Sequence, residues 1–285
     1  QDYMRSPSEE SLNRVKDCLP DVIYHPGMTC MQGDFEESIK FLADHGYTGV
    51  ELMTTYPQSL DWEGLGSIME RWGVRPVLVC TGEMGGLGYN VSDPIPYRRT
   101  QSLRRIREAI DMAAFFGVNI NAGRIKGLYC DALPRVRLAA EGFGELSDYA
   151  AEKGVSISLE TAAYVFMNFI NTCAEAEDLI RRVNRPNFGL MMDLFHMYVE
   201  EPDLLASIRR YSPYNLHVHL ADSNRKAPGK GSLNFKEILS AFHDSGYDGA
   251  FTVEVRQEPD SRTAAAEAAA YLLPLFQEIY GRLDQ

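Results

Sequence analysis

Glu160, Asp193, His219 and Glu254 are side chains able to hold a metal ion, and they close four successive strand-like runs. The runs read VSISLE (155–160), FGLMMD (188–193), NLHVHL (215–220) and AFTVEV (250–255). The gaps between the four residues are 33, 26 and 35 positions (193−160, 219−193, 254−219). Each is close to one strand–loop–helix unit, since a βαβ segment takes about 30 residues. Taken singly, an acid at a strand end reads most simply as a helix N-cap or a loop ion pair. Four metal-capable residues in phase call for a common target. Three carboxylates and one imidazole form a hard, oxygen-rich set that suits Mn²⁺, Mg²⁺ or Co²⁺ better than an ion that prefers thiolates.

Other residues are placed to reach the same point. His196, three residues past Asp193 in MMDLFHM, is expected on the following loop. Arg225 lies in the loop ADSNRKAPGKG (221–231), six residues after His219, and its planar fork of donors suits substrate hydroxyls or a phosphate. His217 shares a strand face with His219 but sits one layer deeper, so it reads as a residue behind the site. His25 and Arg124, beside other strand ends, are candidate substrate contacts. Glu51 reads either as a pocket residue or as a polar side chain satisfied inside the fold.

The elements needed to position these groups are legible. Apolar, β-branched runs recur at 22–24, 49–52, 77–80, 118–121, 155–159, 188–192, 216–220 and 251–255. Stretches with a 3.6-residue period lie between them, at 34–45, 60–72, 98–116, 135–152, 174–183, 204–211, 234–245 and 263–280. Near-continuous apolar strands alternating with amphipathic helices predict a parallel sheet covered by helices. Eight such units predict a (β/α)8 TIM barrel of class α/β, with metal-capable residues converging at the strand C-termini. We read one barrel domain over 21–285 after an N-terminal extension over 1–20. Several helix-to-strand joins carry a glycine one or two positions after the helix (HGYTGVEL, RWGVRPVLV, FFGVNINAG, EKGVSISLE, DSGYDGAFTVE), as a left-handed cap requires. TGEMGGLGYN (81–90) lacks the G-x-G-x-x-G register of dinucleotide sites and is expected to be a flexible loop over the pocket mouth.

Composition narrows the function. A chain of 285 residues with net charge −12 lacks the basic surface that nucleic acid or an anionic membrane demands. No apolar run approaches the roughly 20 residues of a membrane span, and the polar start QDYMRSPSEESLNRVKD offers no export signal. The initial Gln suggests processing or trimming. The five cysteines, odd in number and without a CxxC, read as reduced thiols in a cytoplasmic enzyme.

The motifs LE, MMDLFHM, HVHLADSNRKAPGKG and TVE, in this order over 156–256, resemble the xylose-isomerase-like sugar isomerase/epimerase superfamily, and within it the D-tagatose/D-allulose 3-epimerase branch. Over the first half the resemblance is architectural only. It implies that Glu160, Asp193, His219 and Glu254 bind one divalent ion, usually Mn²⁺. It also implies that Glu160 and Glu254 act as acid and base, and that His196 and Arg225 hold the sugar. The branch carries a further glutamate six residues after its first ligand, where this chain has Phe166. An aromatic there implies a larger, phosphorylated or aglycone-bearing substrate.

The chemistry expected is proton abstraction next to a carbonyl through a metal-bound enediolate, giving epimerisation or aldose–ketose isomerisation of a ketose or keto-sugar derivative. Loss of a β-substituent from the same intermediate would make a dehydratase or lyase acting on a keto-sugar, a keto-inositol or a carbon-glycoside. A catalytically silent sugar-binding subunit and a multi-zinc endonuclease-IV-like hydrolase are the readings outside this chemistry. A small sugar is the expected ligand and a homodimer or homotetramer the expected assembly.

Overall fold

The computed structural model describes residues 34–128 and 134–281, with the backbone of two short strands at 16–18 and 20–21. Among these residues the sheet holds seven parallel strands: β3 (Gly49–Met53), β4 (Arg75–Cys80), β5 (Asn119–Ala122), β6 (Ile157–Glu160), β7 (Phe188–Asp193), β8 (Asn215–Leu220) and β9 (Phe251–Val253). They pair in sequence order, and helices follow them as in a single-domain TIM barrel. Two antiparallel strands lie at the sheet's edges: β1 (Lys16–Cys18) on β3 and β2 (Pro20–Asp21) on β9. Both fall at the end of the expected extension and the start of the barrel, in a polar stretch with no strand pattern. The strand expected at 22–24 and His25 lie outside the described residues.

The helices are α1 (Phe35–Asp44), α2 (Trp62–Arg71), α3 (Gly82–Gly86), α4 (Pro96–Phe116), α5 (Arg135–Ala151), α6 (Cys173–Val183), α7 (Leu194–Glu200), α8 (Leu204–Tyr211), α9 (Phe235–Asp244) and α10 (Ser261–Tyr280). Local chemistry starts them. Asp34, Asp61, Asp203 and Asp260 accept backbone N–H bonds at the first turns of α1, α2, α8 and α10, and Thr172 with Glu175 makes a capping box on α6. The repeated glycines end them: Gly46, Gly73, Gly117, Gly154 and Gly246 all adopt φ between 67° and 83°, the left-handed cap expected from the sequence.

Two expectations need correction. Residues 81–90 are not a plain loop, because α3 forms one short helix there, packed against the turn at Arg124–Lys126. His196 is on a helix, not a loop, because Asp193 caps α7 and the chain turns helical directly after β7.

The core is a continuous apolar cluster contributed by strand and helix faces, with Phe143, Phe188, Phe235, Phe242, Phe251 and Phe276 buried within it. Cys80 and Cys173 are buried free thiols. No described helix is long and apolar enough to cross a membrane.

Candidate metal centre and pocket

Register brings the quartet together. Asp193 pairs with His219 across β7 and β8, and His219 pairs with Thr252 across β8 and β9. A bulge at Leu190/Met191 sets the first of these pairings. Asn215 steadies it by accepting the Met192 N–H at 3.2 Å. Glu160 ends β6, and Glu254 follows β9 with its N–H still bonded to Leu220 O at 3.0 Å. One candidate ligand atom from each of Glu160, Asp193, His219 and Glu254 lies within 4.8 Å of all the others. Ligands around one ion, each about 2.0–2.4 Å from it, need spacings of this size.

The donor set fits a divalent cation on an independent observation. His219 Nδ1 is fully buried and has no hydrogen-bond partner. It faces Glu160 Oε1 at 3.5 Å, Asp193 Oδ2 at 3.7 Å and Glu254 Oε2 at 3.5 Å. These distances are too long for hydrogen bonds and suited to sharing an ion. Burial disfavours a charged imidazole, yet Glu51 and Glu254 hold His219 well above the ordinary histidine range. Burial likewise opposes ionisation of Asp193 and Glu254. Neighbouring His196 and Arg225 pull Asp193 well below the usual carboxylate range, while Arg225 and His219 pull Glu254 down. The cage is built to hold positive charge.

Asp193 serves both roles open to a strand-end acid: Oδ1 accepts the His196 N–H at 3.0 Å to cap α7, and Oδ2 faces the cage. A close approach also shapes Glu160. A Cβ at Gly123 would stand 2.4 Å from Glu160 Oε2, so the residue after β5 has to be glycine while that carboxylate keeps its place.

Glu160 and Glu254 carry the cage to the wall of a cavity of about 220 Å³, which His196, Arg225, Arg124 and Phe166 also line. Arg225 sits at φ 58°, on a loop gathered around Asp222, whose carboxylate accepts the N–H groups of Ser223, Gly229 and Leu233. Its guanidinium bonds Glu254 and reaches Asp193 Oδ2 at 3.3 Å. The same guanidinium lies over the rings of Phe166 and Phe195, 5.5 and 5.1 Å from their centroids. His196 is buried, and its Nδ1 accepts the Ala163 N–H at 3.1 Å. Burial lowers its pKa from the ordinary value, and with Nδ1 accepting, the ring proton sits on Nε2.

The structure therefore gathers Glu160, Asp193, His219, Glu254, His196, Arg225, Arg124 and Phe166 in one place. It does not bring Glu51 to the pocket. That carboxylate is wholly buried behind the cage, against His217, His219 and Thr252. Sequence reasoning missed Glu83 and Asn121, which also line the cavity. Asn121 sits inside an apolar strand run, and that was its only available signal.

The family model for the xylose isomerase-like TIM barrel matches residues 39–275. The chain belongs to that family. A ketose 3-epimerase from Arthrobacter globiformis is 27% identical over 222 residues, 76% of each chain. The 3-dehydro-D-guloside 4-epimerase of Escherichia coli K12 is 24% identical over 248 residues, 83% of this chain and 93% of the relative. Among solved structures, D-psicose 3-epimerase with D-tagatose from Clostridium cellulolyticum H10 superposes with a TM-score of 0.76 at 22% identity. That match covers 88% of this chain and 95% of the other. These relatives are isomerase-class enzymes.

Proposed function

We propose that this chain is an isomerase: a divalent-metal-dependent sugar epimerase that moves a proton on the carbon beside the carbonyl of a ketose or keto-sugar derivative. The observation that carries the reading is the convergence of Glu160 and Glu254, which line the cavity, with Asp193 and the orphaned His219 Nδ1 on one point. Glu160, Asp193, His219 and Glu254 would hold the ion, Mn²⁺ by resemblance. Bound there, it would polarise the substrate carbonyl and ease loss of the neighbouring proton.

The chain's own groups do the rest. Glu160 and Glu254 come from strands three places apart in the sheet, so their carboxylates reach the cavity from different sides. One takes the proton from carbon and the other returns a proton to the opposite face, which inverts the centre. His196 Nε2–H and the Arg225 guanidinium offer donors to the sugar oxygens, and Arg124 offers a further cation at the rim. Phe166 presents a ring where a free ketohexose would find no hydrogen bond, which favours a derivatised keto-sugar. The similarity to an epimerase of 3-dehydro-D-guloside supports that direction. A cytoplasmic homo-oligomer, dimeric or tetrameric, completes the proposal.

The test is a screen of ketoses, ketose phosphates and 3-keto-glycosides with the Mn²⁺-loaded protein in D₂O. Deuterium should enter the carbon beside the carbonyl of at least one substrate, with inversion. Turnover that needs no divalent ion would refute the proposal.

A further inference from the structure

Behind the cage lies a polar cluster that touches no pocket surface. Glu51, His217, His219 and Thr252 are at most 3% exposed, and they come from β3, β8 and β9. Three groups converge on one oxygen, Glu51 Oε1. His217 Nε2 stands 2.7 Å away, Thr252 Oγ1 2.7 Å and His219 Nε2 2.9 Å. The other oxygen, Oε2, has no partner. An ionised carboxylate can only accept, so Oε1 receives the protons that its neighbours donate.

We infer that Glu51 is the positioning residue that makes His219 a metal ligand. It keeps the imidazole proton on Nε2 and so directs the Nδ1 lone pair into the carboxylate cage, while Thr252 and His217 hold Glu51 in place. The inference rests on the metal-dependent reading proposed above. An imidazole has two nitrogens and the neutral ring carries one proton, so the group that fixes the proton on one nitrogen frees the other. A carboxylate on the far nitrogen of a metal-binding histidine fixes the tautomer and ring plane and raises the ring's basicity. The two faces of His219 have this asymmetry: a short contact on Nε2 and an orphaned, carboxylate-ringed Nδ1.

A second ion held by Glu51, His217 and His219 is the competing reading of the cluster. The contacts argue against it. Glu51 Oε1 lies 2.7 and 2.9 Å from the two Nε2 atoms, separations that a shared proton explains. Two ligands of one ion, each about 2.1 Å from it, stand roughly 3–4 Å apart.

The experiment uses the full chain as wild type, Glu51→Leu and Glu51→Gln. Mn²⁺ affinity is measured by calorimetry, and imidazole protonation by ¹⁵N NMR of the Mg²⁺-saturated protein. Leucine removes the acceptor, and the Mn²⁺ dissociation constant should rise 10- to 100-fold, the usual range for losing such an outer partner. Glutamine still offers an oxygen to Nε2–H, so its loss should be smaller and the proton should stay on Nε2. A folded Glu51→Leu that binds Mn²⁺ as tightly as wild type would overturn the inference alone. So would a proton on Nδ1 in the Mg²⁺-saturated wild type, a result that stands even if the leucine variant does not fold. A wild type that takes up no Mn²⁺ would overturn the cage as well.

Discussion

Lys126 is wholly buried, and its ammonium donates to the backbone carbonyl of Glu160, the residue that opens the cage, at 2.8 Å. Burial lowers its pKa from the ordinary 10.5 to about 8, although the charges of Glu160 and Glu175 pull the other way. Lys126→Met keeps the length of the side chain and removes the titration. Between pH 8 and 10.5 the unfolded chain holds a proton on this amine that the folded chain has released, so wild-type stability climbs with pH across that window. The fall of 10.5 − 8 = 2.5 in pKa, at about 1.4 kcal/mol for each tenfold change in proton affinity, is worth about 3 kcal/mol. At pH 7 and below, the burial penalty is fully present and constant. The methionine variant takes the ammonium donor from the Glu160 carbonyl, an offset of about 1–3 kcal/mol that does not vary with pH. Urea unfolding of both proteins from pH 6 to 10.5 measures the difference. It should be level up to about pH 7 and then move in the wild type's favour by about 3 kcal/mol. A difference that stays flat to pH 10.5 would refute the buried, proton-losing lysine.

Glu160→Gln and Glu254→Gln should each lower turnover by at least about 10²-fold, the scale of general acid–base catalysis, and slow solvent-deuterium exchange into substrate equally. If both keep near wild-type exchange, His196 becomes the base. Asp193→Asn retains an oxygen to cap α7, so the fold should survive in circular dichroism while Mn²⁺ affinity drops and excess Mn²⁺ partly restores activity. D-Allulose and D-tagatose should be poor substrates beside a derivatised keto-sugar, and Phe166→Glu should raise their relative kcat/KM. Efficient wild-type turnover of either free sugar would remove any role for Phe166 in selectivity.

The cage was legible in the sequence because a parallel barrel repeats. One βα unit per 26–35 residues puts each strand's last side chain at the same end of the sheet, and period counting finds it. Helix bounds followed from caps and glycines for the same local reason. What the sequence hid depends on non-local packing. Glu51 read equally as a pocket residue or as a satisfied buried one until its bulged strand and the two histidines of β8 placed it behind the cage. His196 looked like a loop residue because nothing in MMDLFHM shows that Asp193 caps a helix while also facing the cage. Nothing in the stretch GRIKG marks Lys126 as buried, yet it lies against a carbonyl 34 residues away. TGEMGGLGYN reads as flexible from its glycines, and tertiary packing turns part of it into α3.

The most direct test of the account is crystallographic: anomalous diffraction at the manganese edge from crystals grown with Mn²⁺. The account predicts one peak per chain, about 2.0–2.4 Å from His219 Nδ1 and from oxygens of Glu160, Asp193 and Glu254. No peak inside this quartet, or a cluster of two or three ions that draws in other histidines, would contradict it.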